Sequence, residues 1–186
     1  FDSVADSLIR NMQNNGAYLL KGAEIDKLMK VALVEKDGKF DINKKWVGKD
    51  AGLFLKEFGI NADPRLIICE TDAKHPFVQV EMMMPILPIV RVKNIEEAIA
   101  EACKAEHGNR HSAHIHSKNV DRLTAFARAV ETTIFVKNAP SYAGIGAGGE
   151  GHTTFTIAGP TGEGITSAKS FTRQRRCVMV DGFHIV

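Results

Sequence analysis

The reading turns on residues 87–136: Leu87-Pro88-Ile89-Val90-Arg91-Val92, then Asn94-Ile95-Glu96-Glu97-Ala98-Ile99-Ala100-Glu101-Ala102-Cys103, then Ser112-Ala113-His114-Ile115-His116-Ser117, a stretch from Asn119 to Val130, and Thr132-Thr133-Ile134-Phe135-Val136. The first and fifth pieces are short and rich in β-branched residues, as strands are, and the third, Ser112 to Ser117, reads as a strand between two helices. The second and fourth repeat apolar residues at helical spacing behind an asparagine placed to cap them. Strand, helix, strand, helix, strand at these lengths predicts an α/β architecture. A parallel sheet follows, because each helix must return the chain to the edge from which the next strand starts.

Working outward toward the N-terminus, Ser3 is placed to cap a helix whose stripe is Val4, Leu8, Ile9 and Met12, ending at Asn15-Gly16. Tyr18-Leu19-Leu20 reads as a strand and Ala23 to Val34 as an amphipathic helix. Lys36-Asp37-Gly38 reads as a turn, and Asp50 as the cap of a helix stopping at Gly59. Leu66 to Cys69 is a further strand. Toward the C-terminus, eight of the sixteen glycines fall between Gly144 and Gly164, which predicts loop and ribbon. The tail from Ser167 ends in a strand, Cys177-Val178-Met179-Val180, with no helix after it. Neither an internal repeat nor a linker between domains is visible.

Composition excludes whole classes of function. The chain has 186 residues, 44% of them hydrophobic and 25% charged, enough for a sizeable core. With 24 Lys+Arg against 22 Asp+Glu, a net charge of +2 is too small to hold a nucleic-acid backbone by counterion release. The apolar run Met82–Val90 contains two prolines and is far shorter than the roughly 20 residues of a membrane span. Three dispersed cysteines, Cys69, Cys103 and Cys177, suit a reducing compartment and point to the cytoplasm.

Several clusters resemble reactive sites, and local context argues against each. The glycines from Gly144 to Gly149 lead into a Thr-rich β segment, where a phosphate cradle would lead into a helix. On a strand, His114 and His116 share a face and His111 lies on the other, so two imidazoles converge where a catalytic zinc needs three ligands. Arg176 and Cys177 point to opposite faces of a strand, and Cys69 and Cys103 read as core, so no cysteine has an evident activating partner. Lys169, Arg173, Arg175 and Arg176 form a basic patch that suits a phosphorylated cofactor or an edge strand facing another subunit.

Longer phrases carry a resemblance to a known family. Glu81-Met82-Met83-Met84-Pro85-Ile86-Leu87-Pro88, Glu106-His107-Gly108-Asn109-Arg110-His111-Ser112-Ala113, Ile134-Phe135-Val136-Lys137-Asn138, Gly148-Gly149-Glu150-Gly151, Pro160-Thr161-Gly162-Glu163-Gly164 and Arg175-Arg176-Cys177-Val178 closely resemble CoA-acylating aldehyde dehydrogenases. The nearest subgroup is the propionaldehyde and acetaldehyde dehydrogenases of bacterial propanediol- and ethanolamine-utilisation microcompartments. The resemblance extends over the whole chain and implies its C-terminal part: residues 1–166 as most of an aldehyde dehydrogenase catalytic domain, and 167–186 as an oligomerisation strand and tail. A Rossmann-like NAD domain and the nucleophilic cysteine are then expected upstream of Phe1, and this chain alone is expected to be inactive.

The same resemblance implies the chemistry. A cysteine thiolate attacks a short-chain aldehyde, hydride passes to NAD, and the resulting thioester is transferred to coenzyme A. Glu81 matches the glutamate of the family's Glu-x-Phe-Gly-Pro phrase, which binds the nicotinamide ribose, and Met83 stands where the family has an aromatic residue against the nicotinamide. A loop carboxylate binding backbone amides is the plainer reading of Glu81. Asn138, Ala139, Pro140 and Ser141 match the segment lining the acyl pocket, with His111 approaching the same cavity. Expected partners are the aldehyde and CoA, a homo-oligomer through 167–180 and a microcompartment shell, with neither nucleic acid nor membrane. The alternative function is a non-catalytic oligomerisation or binding module of the same fold.

Overall fold

The computed structural model describes residues 1–148, 152–154, 157–158, 164–178 and 180. The chain divides into two compact units, Phe1–Ala105 and Glu106–Val186. The division falls at a tight turn in which His107 and Gly108 both take positive φ.

The first unit is built on a parallel three-stranded sheet of order β1 (Ala17–Leu20), β4 (Leu66–Glu70), β5 (Ile86–Ile89). Ala17 pairs with Leu66 and Ile67 with Ile86. The central strand explains its own sequence: Ile67, Ile68 and Cys69 are all fully buried, because a central parallel strand is covered on both faces and reads as a continuous apolar run. Around it pack Leu20, Leu28, Phe54, Leu55 and Phe77, with Trp46 against Phe54 at a centroid distance of 4.7 Å.

Helix α1 spans Asp2–Asn14, with Phe1 rather than Ser3 in the cap position and no side-chain cap. Its buried residues are Ala5 and Ile9, while Val4 and Leu8 are exposed. Of the expected stripe Ile9 is buried and Met12 half-buried, while Ala5 takes the core side in place of Val4 and Leu8. Helix α2 (Ala23–Ala32) ends two residues before Val34. Leu33 and Val34 leave it to form β2 (Leu33–Lys36), which pairs antiparallel with β3 (Lys39–Ile42). Asp37 and Gly38 join them with φ of 52° and 72°, the left-handed pair of a two-residue hairpin. The turn stands as read, and the strand pairing it nucleates takes the last two residues of the helical pattern. Helix α3 (Ala51–Lys56) follows, with Asp50 in the cap position, its carbonyl accepting the Leu53 N–H at 3.1 Å but its side chain making no cap hydrogen bond. Helix α4 (Pro76–Gln79) is capped by His75, whose Nδ1 accepts the Phe77 N–H at 3.2 Å. Helix α5 (Ile95–Glu106) has Asn94 Oδ1 accepting the Glu97 N–H at 2.8 Å, the cap its sequence predicts.

In the second unit β6 (Ser112–Ile115) and β7 (Ile134–Lys137) pair in parallel, joined through α6 (Val120–Val130), and Asn119 Oδ1 caps α6 on the Arg122 N–H at 3.0 Å. Phe126, Val130, Ile134 and Val136 form its buried side. Each strand of the 87–136 stretch pairs in parallel, but not within the one sheet expected: β5 joins β4, and β6 joins β7. A short antiparallel pair, β8 (Ile157–Ala158) and β9 (Gly164–Ile165), comes from the glycine-rich region. The phrases 149–151 and 159–163 lie outside the described residues, as does Met179 of the tail strand. Residues 172–178 take no helix or strand hydrogen-bonding pattern within the single chain.

Candidate functional site

In the first unit the Glu81–Pro85 segment crosses the end of the sheet at which β4 and β5 begin. It is tied down by its backbone: the Pro85 carbonyl accepts the Ile67 N–H at 2.9 Å, the Met84 carbonyl accepts the Ile86 N–H at 2.8 Å, and the Met83 carbonyl accepts the Gly48 N–H at 3.4 Å. Met82 is 6% exposed and anchors the segment in the core, whereas Met83 is 59% exposed. Met83 has φ 51°, a left-handed backbone uncommon for a residue with a long side chain. A cleft of about 620 Å³ opens here, lined by Lys49, Asp50, Asp63, Arg65, Met83 and Met84 among others. Glu81 is exposed and its carboxylate has no hydrogen-bond or ion-pair partner among the described residues. It binds no backbone amide among the described residues, which leaves its carboxylate oxygens able to accept hydrogen bonds.

In the second unit the predicted pocket segment leaves the end of β7. Asn138 holds φ 54° and closes a reciprocal bridge to the end of β6: its Oδ1 accepts the Ser117 N–H at 2.8 Å and its Nδ2 donates to the Ser117 carbonyl at 3.0 Å. Ala139 and Pro140 lead into a 3-10 turn, Ser141–Ile145, in which the Ser141 Oγ lies 3.2 Å from His114 Nδ1. The strand stops at Ile115, two residues short of the expected Ser117, yet His114 and His116, the latter just past its end, meet edge to face with centroids 5.9 Å apart. His111 stands just before β6, with Nδ1 2.6 Å from Ser112 Oγ. The turn lies flat on β7, since a Cβ at Gly144 would fall 2.3 Å from Ile134 Cγ2 and 2.9 Å from Val136 Cγ2. Glu81 and Met83 belong to the first unit, and Asn138, Ala139, Pro140, Ser141 and His111 to the second.

A cluster missed from the sequence lies where β4 and β5 end. Arg91 donates from Nε to Glu70 and from Nη2 to Asp6, both at 2.5 Å, stapling α1 to the sheet. The hydrogen bond from Arg91, and then its charge, hold the Asp6 carboxyl below the ordinary range, while the Glu70 and Asp6 carboxylates raise the guanidinium. The signal was an arginine interrupting Pro88-Ile89-Val90-Arg91-Val92, since a charge beside an apolar run needs partners. Arg91 borders a larger cleft of about 1080 Å³ with Thr71, Glu97, Glu101 and Lys104. Within it Arg91 holds Glu70, and Lys104 holds Glu101 at 2.6 Å.

Burial pushes the Cys69 thiol up to about 11, which makes it inert at neutral pH, and Cys177 is exposed. Burial lowers the pKa of His75 against the pull of Asp72 and Asp26, in keeping with a neutral ring that accepts at Nδ1. Among the described residues no three His, Cys, Asp or Glu side chains are grouped to hold a metal ion, and no helix is long and apolar enough to cross a membrane.

The aldehyde dehydrogenase family matches residues 54–174. The chain is 51% identical over 189 residues to the acetylating acetaldehyde dehydrogenase EutE of Salmonella typhimurium, a match covering 100% of this chain and 40% of that protein. Propionaldehyde dehydrogenase of Rhodopseudomonas palustris, solved with bound CoA and an acylated cysteine, superposes with a TM-score of 0.88 at 53% identity, over 95% of this chain and 40% of that one. A propionaldehyde dehydrogenase from the fucose-utilisation microcompartment of Clostridium phytofermentans gives 0.87 at 50% identity, over 98% and 42%. The chain therefore spans about 40% of the length of these relatives.

Proposed function

Because the chain belongs to the aldehyde dehydrogenase family, we propose that it is the C-terminal part of a CoA-acylating enzyme that converts acetaldehyde or propanal, NAD and CoA to acyl-CoA. The observation that carries this reading is the 51% identity, sustained along the whole chain, to an acetylating acetaldehyde dehydrogenase. The reaction balances as aldehyde, NAD⁺ and CoA thiol giving acyl-CoA, NADH and a proton. A cysteine in polypeptide preceding Phe1 forms the thiohemiacetal and then the thioester that CoA cleaves.

In this reading the first unit supplies the cofactor-facing edge. Glu81, with its carboxylate exposed and unpaired, accepts hydrogen bonds from ribose hydroxyls, and Met83 presents a thioether to the nicotinamide face. The cleft beside Met83 is open, and its polar rim suits a dinucleotide's ribose. When bound, the nicotinamide accepts hydride. The second unit supplies the acyl wall: Asn138, through Ser117, sets where the chain leaves β7, and Ala139, Pro140 and Ser141 follow from that anchor, with His111 at the margin. Such a wall excludes water from a thioester that must survive until a second thiol arrives.

Residues 167–186 serve subunit association in this assignment. Support comes from Phe171, Val178 and Val180, each more than 70% exposed in the single chain, with the charges of Lys169, Arg173, Arg175 and Arg176 interleaved. A cytoplasmic microcompartment as the setting rests on the Clostridium phytofermentans relative.

The test is turnover by the full-length polypeptide that carries this sequence, supplied with propanal or acetaldehyde, CoA, and NAD⁺ or NADP⁺ in parallel. Acyl-CoA detected by mass spectrometry, in step with reduced nicotinamide, is expected, with NAD⁺ preferred. Oxidation to the free acid without acyl-CoA, or no turnover at all, overturns the reading.

A further inference from the structure

Met82, Met83 and Met84 are consecutive, yet they occupy three depths. Met82 is 6% exposed, Met84 half-buried and Met83 59% exposed. The arrangement is set by the backbone. The carbonyls of Met83, Met84 and Pro85 are all bonded to the sheet or to Gly48, and the left-handed turn at Met83 leaves its side chain in solvent between two anchored neighbours. Of the other described methionines, Met12 and Met29 are half-buried. The cleft that Met83 lines is open, so a small oxidant reaches the sulfur without any opening of the fold.

We infer that Met83 is a site of reversible oxidation by peroxides, and that its sulfoxide weakens binding of the nicotinamide dinucleotide. The thioether lone pair attacks one peroxide oxygen, the O–O bond breaks and an S–O bond forms. Sulfur loses two electrons and the peroxide is reduced to water. The product is polar and chiral where an apolar contact stood, and methionine sulfoxide reductase restores the thioether with two electrons from a pair of thiols, which become a disulfide as the oxygen leaves as water. The chemical part stands on exposure alone, whereas the effect on binding rests on the cofactor role proposed above for Met83.

The experiment treats the full-length polypeptide with substoichiometric hydrogen peroxide and maps the tryptic peptide His75–Arg91, which carries all three methionines and so contains its own controls. Fragment ions should place the first oxygen on Met83, before Met84 and well before Met82. Oxygen appearing first or equally on Met82 or Met84 overturns the site. Binding is then read by dinucleotide titration rather than by turnover, because peroxide also attacks reactive cysteines. Oxidised protein should bind about tenfold more weakly. Methionine sulfoxide reductase should recover the loss, Met83→Gln should reproduce it, and peroxide should not deepen it in Met83→Leu. Unchanged affinity in protein oxidised at Met83 overturns the inferred effect. If untreated protein binds no dinucleotide, the cofactor reading fails and takes that effect with it, while the peptide map decides the oxidation site separately.

Discussion

Asn138 and Ser117 grip each other through two hydrogen bonds of 2.8 and 3.0 Å, the amide of one satisfying both backbone groups of the other across the ends of two parallel strands. The bridge continues the β6–β7 ladder one step past its last backbone pair, where the Asn138 N–H donates to the Ile115 carbonyl at 2.9 Å. Asn138 also carries φ 54°, a conformation asparagine tolerates better than most residues. Everything from Ala139 to Ile145 hangs from this point.

Asn138→Ala should therefore lose both bonds and keep an unfavourable backbone, destabilising the second unit by about 1–3 kcal/mol in urea unfolding. Asn138→Gly relieves the backbone without restoring the amide and should fall between alanine and the parent. An alanine variant as stable as the parent would show that water replaces the bridge at no cost.

Gly144 and Ile134 make a second such dependence. A methyl group at residue 144 would meet Ile134 Cγ2 at 2.3 Å, so Gly144→Ala must lift the 3-10 turn off β7. Overpacking of this kind costs about 1–3 kcal/mol. Because Val136 Cγ2 lies 2.9 Å from the same point, shortening Ile134 alone gives partial relief. The double variant with Ile134→Ala should melt higher than the two single effects added together predict. Strict additivity in that cycle would mean the turn accommodates the methyl elsewhere.

The Asp6–Arg91 pair should show itself in acid. Asp6 is held below the ordinary carboxyl range by the Arg91 hydrogen bond and charge. A carboxyl depressed in the folded state contributes stability that is complete above its unfolded pKa and is lost as pH falls through the folded one. The staple of α1 to the sheet should thus weaken only below about pH 4, and earlier in high salt because both groups are accessible. Carboxyl-carbon NMR on the parent and on Arg91→Gln measures this directly. The Asp6 midpoint should rise in the variant, and an unmoved midpoint would remove Arg91 as the cause.

These features were unequally legible in the sequence. Leu66 to Cys69 could be read because a strand buried on both faces needs no alternation, and Asn94 and Asn119 because a cap and its amide are three residues apart. Leu33 and Val34 could not, since their helical spacing was outcompeted by pairing with Ile42 and Asp41 across a turn. The Asn138 bridge spans 21 residues and the Arg91–Asp6 contact 85, distances over which local pattern carries no signal. Glu81 was legible only as part of a phrase. Its exposure and lack of a partner are structural facts, and nothing in its spacing announced them.

Glu81 also gives the most direct test of the cofactor edge. Replacing it by glutamine keeps size and one acceptor oxygen but removes the charge that strengthens a bond from a ribose hydroxyl. Because Glu81 is exposed and holds nothing else among the described residues, Glu81→Gln should unfold within about 0.5 kcal/mol of the parent, as surface changes do. In the full-length enzyme the same change should slow hydride transfer about tenfold, corresponding to roughly 1.4 kcal/mol for one charge-assisted hydrogen bond. Single-turnover measurement with deuterated aldehyde isolates that step. An isotope effect that grows in the variant means the loss falls on hydride transfer itself. A variant with normal turnover and normal dinucleotide affinity would strip Glu81 of its role and leave it a solvent-facing loop residue.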